Sequence, residues 1–164
     1  MPQLFISFLA IALLVGCSTV DRPAETADWR LIGKLSLQTR DESRILSINW
    51  RQTGQRSDIT LAGPLGVKVA TVTAENGELT VNTSRQTARY QDDAVLETVG
   101  FEGLKLPWKS LAAWVRGTSG SDFRRGQWHF RVTEIGDDGP LVMRLEHPGV
   151  KLLLRVRKWQ VFDS

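Results

Sequence analysis

The chain has 164 residues, 41% hydrophobic and 24% charged, with a formal net charge of +3. These are the proportions of an ordinary globular domain and exclude an intrinsically disordered chain. One Cys excludes an internal disulfide framework, one Cys and two His are too few for a usual zinc site, and so mild a basic balance argues against nucleic acid as a partner.

Residues 1–17 read MPQLFISFLAIALLVGC. The apolar run Leu4 to Val15 has the length of a signal-peptide core and is too short to span a bilayer. It ends in Leu14-Val15-Gly16-Cys17, small residues ahead of a lone Cys, which match the bacterial lipobox. Residues 1–16 are therefore expected to be a lipoprotein signal peptide, with Cys17 the first mature residue, triacylated on its sulfur and amine. Two chains already suffice for stable anchoring. Ser18 stands where an Asp would signal inner-membrane retention, so the expected place is the outer membrane, lipid-anchored and facing the periplasm. Residues 17–28 are the lipidated N-terminus and a polar tether, and 29–164 are the folded domain.

From Trp29 the pattern turns to period two. Leu31, Gly33, Leu35 and Leu37 share one face of a strand, with Lys34, Ser36 and Gln38 on the other and Ile32 out of step. Arg44 to Arg51 repeats the pattern with Leu46, Ile48 and Trp50, after a turn at Asp41-Glu42-Ser43. Short strands follow at Ser57–Leu61, Val67–Ala74 and Leu79–Thr83, the last two joined by the hairpin signal Asn76-Gly77. Gln91 to Gly100 then spaces Val95, Leu96 and Val99 as a helix capped by Asp92 or Asp93. A second helix is expected from Pro107 to Gly117, with Leu111, Trp114 and Val115 as its apolar stripe. Strands return at Trp128–Ile135, Leu141–Glu146 and Val150–Phe162. Strands, two helices and strands again imply one antiparallel sheet curled around the helices.

No catalytic constellation emerges, so the chain is not read as an enzyme and no metal or cofactor is expected. His129 and His147 are read as surface or half-buried. Asp92-Asp93 and Asp137-Asp138 are explained by capping and turns. Two features resist such readings. Leu65 sits between Pro64 and Gly66 in a loop where polar residues are usual, so it is either folded back or exposed. The six Trp suit either a packed core or the lining of an apolar cavity.

The ordered set Trp29-Arg30-Leu31-Ile32-Gly33-Lys34-Leu35, Asn49-Trp50-Arg51-Gln52-Thr53-Gly54, Gly63-Pro64-Leu65-Gly66, Leu106-Pro107-Trp108-Lys109-Ser110-Leu111, Trp114-Val115-Arg116-Gly117 and Lys158-Trp159, after the lipobox, resembles the LolB family. The resemblance implies a mainly β fold: an incomplete antiparallel β-barrel with a short-helix lid over a hydrophobic cavity. It implies a monomeric outer-membrane receptor that takes triacylated lipoproteins from a LolA-type periplasmic carrier and inserts them into the outer-membrane bilayer. Pro64, Leu65 and Gly66 would be the membrane-insertion loop, with Leu65 exposed. Leu35, Leu37, Ile48, Trp50, Leu61, Leu111, Trp114 and Val115 would line the acyl-chain cavity. The stretch after Gly117 is short for this family, which leaves strand number and cavity closure open. A structural outer-membrane lipoprotein without a ligand cavity is the alternative reading.

Overall fold

The computed structural model describes residues 28–91, 95–96, 104–105 and 108–162. The alternating segments pair with their neighbours in sequence: β1 (Trp29–Gln38), β2 (Ser43–Thr53), β3 (Arg56–Ala62), β4 (Lys68–Glu75), β5 (Glu78–Thr83) and β6 (Thr87–Gln91) form an antiparallel meander. After β7 (Val95–Leu96), β8 (Leu104–Lys105) and helix α1 (Trp108–Arg116) come β9 (Asp122–Arg125), β10 (Trp128–Gly136), β11 (Gly139–His147) and β12 (Val150–Val161). Pairing of β1 with β12 joins the two halves into one ten-stranded sheet, β6-β5-β4-β3-β2-β1-β12-β11-β10-β9, whose end strands β6 and β9 do not pair. The protein is mainly β, and its antiparallel sheet curls without closing.

Period-two alternation fixes which face is inside, since a slip of one residue would turn every apolar side chain outward. One such slip is built into the central seam. The β1–β12 register shifts between Ile32 and Gly33, at the residue that breaks the alternation in sequence. Gly33 is required there because a Cβ would run into the backbone carbonyl of Arg155. The inner face and α1 share one buried cluster that includes Leu31, Val72, Val81, Phe130, Leu152 and Leu154. Helix α1 ends as its sequence directs: Gly117 has φ 80, and its N–H and that of Thr118 donate to the Trp114 and Ala113 carbonyls, each at 3.0 Å.

Two expectations need correction. A helix over Gln91–Gly100 does not form where residues are described: Gln91 closes β6, and Val95–Leu96 pair with Leu104–Lys105 as a two-residue ladder. The remaining residues of that segment, Asp92 and Asp93 included, lie outside the described set. The spacing of Val95 and Leu96 fits either period over so short a run, and pairing decided it. Only the second helix is present among the described residues. Two strands escaped the sequence reading, β6 and β9. β9 (DFRR) is mostly exposed and polar, with little alternation to detect; β6 (TARYQ) does alternate, but over five residues only Ala88 and Tyr90 mark its half-buried side.

Candidate functional site

Between β3 and β4 the chain makes a single 3-10 turn, Pro64–Gly66. Pro64 supplies the starting φ, and the loop closes with the Gly63 N–H donating to the Val67 carbonyl at 2.8 Å. Leu65 stands at φ 62, ψ 14, a left-handed conformation that costs a non-glycine residue about 1–2 kcal/mol. Its side chain is fully exposed at 101%, and Val67 beside it is 66% exposed. Of the two orientations left open by sequence, the outward one is observed. Neither core packing nor turn economy accounts for a strained leucine held out in water.

The second feature is the inner face. Leu37, Ile48, Trp50, Leu61, Leu111, Trp114 and Val115 are all buried in one cluster, with Leu35 partly buried against it. The structure therefore brings the eight together, as packed neighbours between sheet and helix. Most of the rings fall into two groups. Trp29 contacts both Trp50 and Trp159, each at 5.4 Å between centroids. Trp114 meets Phe123 at 5.2 Å and Phe130 at 6.1 Å. The Trp50 indole N–H is buried without a hydrogen-bond partner among the described residues. Such an orphan donor is costly, at about 1–3 kcal/mol. Cys17 lies outside the described residues, as do Leu106 and Pro107.

Helix α1 is fastened at both ends. Arg116 donates through Nη1 to the Asp138 carbonyl and lies over the Trp159 ring, 5.0 Å from its centroid. The Trp159 indole N–H in turn donates to the Pro140 carbonyl at 2.8 Å. Toward the other end, Arg125 donates to Ser110 Oγ at 2.9 Å. These are a few polar ties at the helix ends over an apolar contact in the middle. A cleft of about 570 Å³ opens between Ala112 and Ala113 of α1 and Gln52, Ser57, Ala74 and Leu79 of the sheet. The sequence reading missed these residues. The signal was present, because two alanines between Leu111 and Trp114 keep the helix from filling the space beside it.

The polar groups are held in place by charge. Partial burial pushes the Asp58 carboxyl up, but hydrogen bonds from Arg56 and Thr73 and the charges of Arg56 and Arg51 outweigh it, holding the group below the usual carboxylate range. Asp122 is also held low, chiefly by its hydrogen bond with His129, 2.7 Å away. His147 packs on Trp128 with 4.8 Å between centroids, and both histidines are half-buried.

With this geometry established, the chain can be set beside known proteins. The family profile "Outer membrane lipoprotein LolB" matches residues 27–159. The outer-membrane lipoprotein LolB of Pseudomonas fluorescens is 34% identical over 81% of this chain and 72% of its own length. That of Aeromonas salmonicida is 23% identical over 93% and 94%. A crystal structure of a LolA superfamily protein from Nitrosomonas europaea overlays with a TM-score of 0.47 at 8% identity, covering 86% of this chain and 88% of that one.

Proposed function

This chain belongs to the outer membrane lipoprotein LolB family, and from that premise we propose that it is an outer-membrane receptor for lipoproteins in transit. It accepts triacylated lipoproteins from a LolA-type periplasmic carrier, shelters their acyl chains beneath α1, and passes them to the outer-membrane bilayer. Acylated Cys17 holds it in that membrane, with the domain in the periplasm. The observation that carries the reading is Leu65, a strained leucine fully exposed on a turn, where contact with lipid gives it a use that water does not.

The physical problem is set by the cargo. An acyl chain of about 15 methylenes, at about 0.8 kcal/mol each, costs about 12 kcal/mol to expose to water. Release through solvent is therefore too slow, and chains must move from one apolar shelter to another. Direction then comes from rising affinity along the route. The inner face supplies the shelter: seven of its eight anticipated residues are buried together with Leu35 packed against them, and the Ala112–Ala113 cleft gives the acyl chains a place to start. Displacing α1 exposes the rest, including the Trp50 N–H, which has no partner among the described residues and can donate to an ester or amide carbonyl near the acyl attachment.

The tether is long enough. Leu65 and the start of β1 lie at opposite ends of the sheet, since the turn between β3 and β4 is at the same end as that between β1 and β2. The ten residues of β1 span about 30 Å, whereas the eleven steps from Cys17 to Asp28 reach up to about 40 Å. Cys17 and Leu65 can occupy the same bilayer.

The test is transfer. The lipidated chain is mixed with a LolA-type carrier loaded with a triacylated lipoprotein, and the protein that co-purifies with the cargo is identified. Cargo on this chain supports the reading. Cargo left on an active carrier, with this chain folded, refutes it in favour of a structural lipoprotein.

A further inference from the structure

The outer face of the sheet carries charges that its own stability does not require. Arg131 and Arg144 stand opposite each other on β10 and β11, and Lys34 and Arg155 do so on β1 and β12. All four are exposed. Like charges facing across a ladder destabilise it. Relief is slight: Arg131 reaches Asp122 at 3.3 Å, and Lys34 donates to Ser47 Oγ at 2.7 Å. Arg144 and Arg155 make no ion pair among the described residues. Glu146, the carboxylate nearest along β11, faces Lys151.

The same face continues into an apolar corner. Following the register, Ile45 lies opposite Ser36, Ser36 opposite Leu153, Leu153 opposite Arg144 and Arg144 opposite Arg131. With strands about 4.8 Å apart, this row crosses about 19 Å of the surface. Ile45 is 62% exposed, on the strand that touches the Pro64–Gly66 turn. With Leu65 and Val67 it makes three exposed apolar side chains at one end of a row that runs through the facing guanidiniums of Arg144 and Arg131 to Asp122.

We propose that this outer face docks the domain flat on an anionic bilayer, an inference that rests on the membrane-delivery reading above. Ile45, Leu65 and Val67 enter the acyl boundary, while Lys34, Arg144 and Arg155 lie on lipid phosphates. A bilayer offers this pairing, an apolar layer beneath a sheet of anionic phosphates. The repulsion within each cross-strand pair is relieved when phosphates sit between the cations.

The experiment uses the full lipidated chain with Val67→Cys carrying an environment-sensitive fluorophore, in vesicles of phosphatidylcholine alone or mixed with phosphatidylglycerol. Quenching by a bilayer-borne nitroxide reports docking. Quenching is expected to be stronger with phosphatidylglycerol and to fade with added salt. The pair Arg144→Gln and Arg155→Gln is expected to weaken docking about 30-fold, with an unfolding midpoint unchanged or raised. Equal quenching in the two vesicles, or salt independence of the unmutated chain, overturns the proposal even if the double variant does not fold. Cargo transfer is read in parallel. Cargo accepted without charge-dependent docking overturns this inference alone, and charge-dependent docking without cargo overturns the functional reading.

Discussion

Leu65 offers a test in which stability and function move in opposite directions. The side chain is fully exposed and the backbone is left-handed. Leu65→Asn keeps a side chain but replaces leucine with a residue that tolerates this conformation. The strain of about 1–2 kcal/mol is partly relieved, and an exposed side chain gives up no packing. We expect the domain to gain about 0.5–1 kcal/mol, a rise of a few degrees in its unfolding midpoint at this size. Lipid contact is lost at the same time. Burying one leucine contributes about 1.5–3 kcal/mol, which corresponds to about 10- to 150-fold in the equilibrium for loop insertion. The assays are thermal unfolding and delivery of a labelled lipoprotein from carrier to vesicles. A lower midpoint would show that Leu65 packs against something in solution. Normal delivery by a folded Leu65→Asn protein, and by Leu65→Glu, would remove the insertion role.

Arg116→Ala removes the tie to the Asp138 carbonyl and the contact over Trp159. It is expected to cost about 1–2 kcal/mol and to increase binding of an apolar dye as α1 loosens; unchanged dye binding would argue against α1 as the lid. Gly33→Ala forces a Cβ against the Arg155 carbonyl and should destabilise by about 1–3 kcal/mol in urea unfolding, with the loss centred on the β1–β12 seam. Because the Asp58 carboxyl is held low in the folded state, its contribution is present above its unfolded pKa and lost as pH falls through the folded one. Stability should therefore decline below about pH 4, and Asp58→Asn should flatten that part of the urea-midpoint profile against pH.

Alternation in Leu31–Leu37 and in Ile48–Trp50 was enough to define strands and their inner faces, because period two admits one assignment once a face must be buried. Gly117 and the stripe Leu111, Trp114 and Val115 likewise defined α1. The ordered motifs reached the family, and Pro64-Leu65-Gly66 marked the turn. Local pattern could not reach further. Val95 and Leu96 suit either period, and only a pairing partner made them a strand. The join of β1 to β12, residues more than a hundred apart, has no local signature, yet it turns two hairpin series into one sheet. That join also sets Lys34 against Arg155, and the β10–β11 register sets Arg131 against Arg144. Local pattern puts Lys34 on a wet face and groups Arg155 with Lys151 and Arg157 as a basic strand face open to anionic groups. Their meeting, and their continuity with Ile45 and Leu65, belongs to the register. Along the strands the sequence determined which side chains face in and which face out, since alternation settles burial there; the tertiary structure decided the outward pose of Leu65 and which outward side chains became neighbours, since that depends on contacts between segments far apart in the chain.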